Sequence, residues 1–545
     1  MCFLKILLLG AILSTNIYTD AKKYVLTNNR TLNQQINLNG TYNITIKRPF
    51  DLQGDTLRLP VGAKIVFKRN GKISNGHVVF NTNSFSHKRN QKAFSGCSFS
   101  GNLENEKLCI SMFGVTADGK TDDAPIINQV LSVIDGGNCH LFFDCDGDYG
   151  ISSVKQRSTV MVGSNTEITF TGKGFLKLLR TSKMGAVLSL KDYAHDVVIN
   201  NIQIDGGGEG VIVGNSGQNG IGARLFNGFR VNGGVIRNCN KGRETKIDGI
   251  MTAGDGGKGI QIESADCRNG VFDGIYIVNC HAAISCHRNF DKQGGINVVF
   301  SNITGENCEQ FAIIHQTNGE DTTGEEQNVL IKNFVSKNCG FVDGVFVFSR
   351  TRYLTVENGV VEGDVNVPAI FRGRIAKSVV RNVEISQPCN ALIDLNPSTY
   401  GLDQRASFGN YFNLDITSSF DYLMYSDVTK RVPYRSMTES LVSAKCNNAP
   451  RVAVYSNEVN SSGMLNIKLQ LPDNRFFEGQ SVMFDKNFGA RHERLAGKSS
   501  TMPRTEGSTT LHPRGLTIKD KGFTYWNTDS SALEIWDGTK WVYAR

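Results

Sequence analysis

Phe272-Asp273-Gly274-Ile275-Tyr276-Ile277-Val278-Asn279-Cys280, Phe300-Ser301-Asn302-Ile303-Thr304-Gly305-Glu306-Asn307-Cys308 and Ile331-Lys332-Asn333-Phe334-Val335-Ser336-Lys337-Asn338-Cys339 are three versions of one unit. Each opens on an apolar residue, carries Gly or Asn at its third place, alternates with period two and closes on Asn-Cys. That period marks strands and not helices. Gly and Asn are the residues that take positive φ at least cost, so the third place reads as a corner.

Working outward, the same pattern recurs around Asn201, Gly233, Asn358, Asn382 and Asn413, at intervals of 24 to 41 residues along the series. Fixed-period self-similarity of this length is the signature of a solenoid with loop insertions. The Asn-Cys pair appears at the same offset in four consecutive units, the fourth being Asn238-Cys239. A further run follows in each unit: Ile260 to Asp266, Ala283 to Asn289, Ala312 to Asn318, Val345 to Thr351 and Ala369 to Arg374. Together these registers predict an all-β chain, a right-handed parallel β-helix from roughly Phe113 to Tyr425. Stacked at about 4.8 Å, the Cys side chains form a ladder too widely spaced for disulfides, and the Asn amides bond along the stack. The cysteines therefore read as free and structural, and the absence of C-x-x-C pairs or His-Cys clusters predicts no metal and no cofactor.

Composition agrees with a stacked fold. Gly at 57 and Asn at 50 of 545 residues supply corners, while Pro at 11 leaves ladder hydrogen bonds intact. A hydrophobic share of 40% excludes wholesale disorder. The net charge of +8 is dispersed without a basic block, which argues against a nucleic-acid partner. Residues 1–21 carry Lys5, the short apolar run Ile6 to Leu13 and Thr19-Asp20-Ala21, the layout of a signal peptide; a buried first strand is the alternative. No other run is long enough to cross a bilayer, so no transmembrane segment and a secreted, periplasmic or cell-surface location are expected.

Phe113-Gly114 followed by Asp118-Gly119-Lys120-Thr121-Asp122-Asp123-Ala124 resembles the opening of the pectate-lyase-like β-helix family with its rhamnogalacturonase and epimerase relatives. The resemblance implies a short helix from about Ala124 to Ile134, with Asp122 or Asp123 near its N-cap and Pro125 in its first turn, covering the open end of the solenoid. Residues 22–108 resemble the β-rich leader of Bacteroidetes and phage proteins, and the end of the chain, with Trp526, Trp536 and Trp541, resembles the terminal hairpin of phage tail spikes. The expected organisation is thus a leader at 22–108, the β-helix at 109–435, a β-rich module at 436–496, and a linker with the Trp-containing hairpin at 497–545. The tryptophans fit the hairpin's own core or an oligomer contact better than a sugar platform.

If Ile260, Ile262, Ala312, Ile314, Val345, Val347, Ala369 and Phe371 face inward, period two sends Glu263, Arg288, His315, Arg350, Arg372 and Arg374 to one outer face. His287 falls one residue out of phase and reads as a lesser substrate contact. Arginine forks suit the carboxylates of acidic sugars. A His or Arg can take a proton beside such a carboxylate, as a lyase requires, whereas hydrolysis needs paired carboxyl groups, for which Glu263 with Asp266, Asp248 or Asp255 is the available set. Glu263, His315 and Asp266 are the catalytic candidates; Arg288, Arg350, Arg372, Arg374 and His287 are the substrate-binding ones. The Asn-Thr-Asp, Asp-Asp and Gly-His-Gly series of polygalacturonases is not visible in the corresponding coils, nor is a dense calcium-binding Asp cluster like that of pectate lyases. The expected function is an exported hydrolase or lyase acting on an acidic polysaccharide; the alternative is a tail-spike-like glycan-binding adhesin, as a homotrimer.

Overall fold

A computed structural model describes residues 42–446 apart from 88–90, 154–157, 182–184, 212–216, 243–244, 248–249, 253–255, 264–265, 289–295, 317–327, 396–406, 409, 426–436 and 439. It also describes 22–25, 451–453, 465–470, 476–481, 506–507, 524–527, 532–536 and 539–543. The expected signal peptide, Asp248, Asp255 and most of the expected linker lie outside the described residues.

The coils stack in three columns; some lay down three separate strands and others run one long strand, such as Cys267–Val278, along the first two columns, and strands of adjacent coils pair in parallel. In the first column one position is traceable without a break: Ile168, Ile199, Val231, Phe272, Phe300, Ile331, Val356, Val380, Phe412 and Val442 are successive register partners. All ten are buried. This is a parallel β-helix, right-handed as crossovers between parallel strands almost always are.

The corners fall where the repeat predicts. Asn201, Gly233, Gly274, Asn302, Asn333, Asn358 and Asn382 all lie between φ 52° and 69°. Asn413 departs: it is absent from the positive-φ residues, and the register slips by one between Arg381 and Val383. The second corner is Asn238, Asn279, Asn307 and Asn338, at φ 51° to 56°. Parts of the amide ladder form, with Asn382 Nδ2 donating to Asn358 Oδ1 at 3.0 Å and Asn302 Nδ2 to Asp273 Oδ1 at 2.7 Å. Behind the second corner Cys239, Cys280, Cys308 and Cys339 are buried and reduced.

The leader strand β1 (Phe94–Asn102) precedes the helix α1 (Ala124–Ile134). Asp118 accepts from the Lys120 and Thr121 amides, and Asp123 from those of Thr116 and Ala117, so the Asp-rich motif builds a turn that leads into the helix. Ile127, Val130, Leu131 and Ile134 of α1 are buried in the core. The helix caps the first strand of the third column, β2 (Ser158–Val162), but it does not stand at a free end. Asn128 exchanges hydrogen bonds with the β2 backbone, to Thr159 O at 2.5 Å and from Met161 N at 2.9 Å, while Gln129 accepts from Phe99 N of β1 at 2.9 Å. Its side-chain amides thereby replace a rung. The leader strands are themselves parallel and share one core with the coils, through ring contacts such as Phe94 on Phe113 at 5.7 Å.

The third column continues through β3 (Gly185–Leu190), β4 (Gln218–Ala223), β5 (Lys258–Glu263), β6 (Ala282–Arg288), β7 (Gln310–Gln316), β8 (Phe346–Arg352), β9 (Val367–Ala376) and β10 (Cys389–Asp394). Here the expected phase is corrected in one coil. Ala312 pairs with Phe346 and Ile314 with Phe348, so the phenylalanines face inward and Val347 faces out. The cause is a bend at the start of the strands, where consecutive residues such as Phe311 and Ala312, or Val345 and Phe346, both enter the core.

Stacked rings fill the interior, as Phe272 and Phe300 do at 5.2 Å. Phe272→Ala leaves a ring-sized void between coils and is expected to cost about 3–5 kcal/mol, read as a lower urea midpoint.

Candidate functional site

Backbone register defines a row on the outer face of the third column. Glu263 pairs with His287, His287 with His315, and His315 with Ser349. The backbones of a glutamate and two histidines thus occupy successive rungs about 4.8 Å apart, the side chains of His315, Arg288 and Arg350 lying outside what the structure describes. His287, expected out of phase, belongs to this row, and Arg288 stands at the alternate position opposite Gln316. The row beside it runs Met161, Ser189, Gly222, Gln261, Ser285, Ile313, Val347, Arg372 and Asp394.

Two parts of this face differ in character. Over β3 to β5 it opens as a cleft lined by Ser189, Asp192, Asn219, Arg224, Gln261 and exposed Glu263, with Gly222 on the floor. A Cβ at Gly222 would meet the Ala186 Cβ at 2.8 Å, so the floor is as low as a backbone allows. Asn219 Nδ2 donates to Gln261 Oε1, and Asn219 Oδ1 accepts from Lys258 N at 3.0 Å. Gln261 is thereby fixed with its amide hydrogens left for the cleft. Arg224 is held by Asp192 through two hydrogen bonds, of 2.7 and 3.1 Å. Further along, the face is not the open groove that alternation predicted. Ala282, Ile313 and Val347 form a separate buried apolar cluster, because their positions carry small or branched apolar side chains where an open polar face would carry charged ones.

The remaining candidates divide accordingly. Arg372 is largely buried between two acids, Asp343 Oδ1 at 3.2 Å and Asp394 Oδ2 at 3.7 Å, so its charge is answered within the chain. Arg374, expected on the outer face, is 2% exposed. It lies at a bulge where Ser349 and Arg350 face it alone, next to Gly373 at φ 98°, whose Cβ would strike Phe348 O at 1.9 Å. Asp266 turns to Arg268, 2.6 Å away, at a corner with φ 63°. Asp192, Asn219, Arg224, Gln261 and Ser285 were missed by sequence reasoning, although Gln261 and Ser285 alternate with core residues in the same runs that gave Glu263 and His287.

At the opposite end of these strands, His281 Nδ1 meets Glu309 Oε2 at 2.7 Å, and Glu309 meets Lys241 Nζ at 3.4 Å. Burial pushes His281 below its ordinary 6.5, aided by the charges of Lys258 and Lys241 and opposed by Glu309. For Glu309 burial acts upward, but the hydrogen bond and charge of His281, with Lys241, hold it below 4.5.

No protein-family sequence profile and no curated protein matches the chain. Among solved structures, ORF18 of Geobacillus virus E2 aligns with 81% of this chain and 86% of its own, at 13% identity and TM-score 0.39. The A-module of the Azotobacter vinelandii mannuronan C-5 epimerase AlgE6 aligns with 63% of this chain and 100% of its own, at 10% identity and TM-score 0.33. A Thermotoga maritima exopolygalacturonase aligns with 85% and 95%, at 10% identity and TM-score 0.29. The fold itself rests on the strand registers above. Among the described residues no helix is long and apolar enough to cross a membrane, and no cluster of three or more His, Cys, Asp or Glu forms a metal site.

The His281 pair sets a pH dependence. A folded pKa below the unfolded one means that the unfolded chain takes up the proton first as pH falls. The contribution of His281 is therefore complete above 6.5 and is lost on acidification below it, and that of Glu309 is lost below 4.5. The melting temperature is expected to fall between pH 7 and pH 5, and to fall less in His281→Gln.

Proposed function

We propose that the chain binds a polysaccharide across the outer face of the third column and cleaves it beside Glu263. The observation that carries this reading is the row Glu263, His287, His315 next to a cleft of amide and hydroxyl groups. Amides and hydroxyls suit sugar hydroxyls, and a strand-built row places its members more rigidly than a loop does. Proton abstraction fits this set better than hydrolysis. Hydrolysis calls for two free carboxyl groups flanking the bond, and the neighbouring Asp192 and Asp266 are both engaged by arginines. Elimination calls for one base and one acid, roles that imidazoles fill near neutral pH. Glu263 stands on the rung beside His287. The substrate of such a step is an acidic glycan, whose carboxylate makes the adjacent carbon-bound proton removable; export to reach it is the role of the expected signal peptide.

A second reading, a glycan-binding adhesin that does not cleave and assembles as a trimer, is favoured by one observation. Of the expected uronate ligands, Arg374 is buried and Arg372, half-buried, is answered by acids.

Uronic-acid polymers incubated with purified protein are expected to yield unsaturated ends, followed by ultraviolet absorbance. His287→Ala should reduce that rate by about 100-fold or more, the usual scale for loss of an acid–base group. Retention of a polymer with neither new reducing ends nor absorbance would leave the adhesin reading standing.

A further inference from the structure

Along the row Met161, Ser189, Gly222, Gln261 one rung lacks a side chain, which leaves a notch over Gly222. Its walls are the Ser189 hydroxyl and the Gln261 amide, on rungs about 9.6 Å apart. A Cβ at Gly222 would lie 3.3 Å from Ser189 Oγ, so that hydroxyl borders the floor directly. The cleft volume, about 150 Å³, is well below the roughly 300–1,000 Å³ of sites for drug-sized ligands and suits one sugar residue. Its amides are fixed in sense, because a backbone donor, Lys258 N, demands the oxygen of Asn219. Asn219 then turns Nδ2 to Gln261, which answers with Oε1. Asn219 and Gln261 are each 6% exposed. The Gln261 Nε2 hydrogens thus have no partner among the described residues, at a place where Gln261 lines the cleft. A donor so nearly buried calls for an acceptor from outside the chain.

Charge restricts that acceptor. Among the described residues Arg224 is the sole cation lining the cleft, and Asp192 answers it through two hydrogen bonds, while Glu263 is exposed and keeps its negative charge unanswered. A carboxylate brought here would gain no free cation and would face Glu263. Shape restricts it further. The place of the missing side chain takes a flat group of a few atoms, which a ring hydroxyl alone would not fill, and Met161 and Ala186 add apolar contact beside it. We propose that the cleft is a subsite for a 2-acetamido sugar, whose acetamido group enters the notch over Gly222. The carbonyl and N–H of a trans amide point in opposite directions, as the two walls require. The carbonyl oxygen accepts from Gln261 Nε2, the N–H donates to Ser189 Oγ, and the methyl group rests on the apolar floor. A hydroxyl has two lone pairs, so Ser189 can accept while engaged elsewhere. The polysaccharide of the preceding reading, on which this inference rests, is then a mixed polymer in which such a sugar adjoins the uronate, and not a run of uronates.

The test uses the full chain with hyaluronan and unsulfated chondroitin, in which uronates alternate with N-acetylhexosamines, and with polygalacturonate, which holds uronates alone. One of the first two is expected to bind at least about tenfold more tightly than polygalacturonate, the scale of one well-made hydrogen bond. In saturation-transfer spectra its acetamido methyl should receive the most magnetisation from the protein. Gln261→Ala and Gly222→Val should each erase the preference, with circular dichroism unchanged; if the valine does not fold, Gln261→Ala decides. Equal or tighter binding of polygalacturonate overturns the proposal, as does binding of none of the three or a preference that survives Gln261→Ala. Polygalacturonate cleaved to unsaturated ends without any preference removes this inference and leaves the preceding reading. A preference for an N-acetylated polymer with no unsaturated ends from any of the three does the reverse.

Discussion

The whole molecule depends on parallel strands stacking in register at about 4.8 Å. Under that constraint a residue's neighbours above and below are the same position in adjacent coils, so any shape tolerated once must be tolerated repeatedly. The corner is where the constraint is tightest. Backbone at φ near +53° is costly for most residues and inexpensive for Asn and Gly, and these two occupy the first corner from Asn201 to Asn382. Once the corners are fixed, alternation assigns most strand residues to the core or the surface, and rows of Phe, Ile and Val fill the interior.

The same constraint gives the candidate site its rigidity. Glu263 and His287 are one rung apart because β5 and β6 are paired, and a shift of either would carry Ile260, Ile262, Ile284 and Cys286 out of the core. A site on a solenoid face inherits the precision of the core behind it. What such a face lacks is enclosure, and the buried Ala282, Ile313 and Val347 mark where this one departs from an open surface.

Much of this was legible in the residues. Asn and Gly at constant offsets located both corners, and the Asn-Cys pairs located the thiol ladder. The Asp-rich motif located the helix to the residue, Ala124–Ile134. The third column was harder to read. Its strands begin with a bend in which two consecutive residues enter the core, so strict alternation counted from Val345 put Val347 inside, where Phe346 and Phe348 belong. Counting Arg288 in place of His287 was the same kind of error, one residue of phase in a short strand. The burial of Arg372 and Arg374 depended on Asp343, Asp394 and a bulge at Gly373, contacts between coils that no single run displays. Leader strands that share the solenoid's core were likewise hidden, because α1 interrupts the repeat between them.

The reduced cysteines bear on where and when this chain matures. All twelve cysteines after Cys2 are thiols, and the ladder members are shielded only after adjacent coils have closed over them. Before closure the same side chains are exposed on a long polypeptide in which any pair can be oxidised, and a cross-link between ladder members would pull the rungs out of spacing. Coil closure and thiol oxidation therefore compete in time. A compartment that delays oxidants, or a chaperone that hastens closure, would favour the native solenoid without touching any residue of the finished surface.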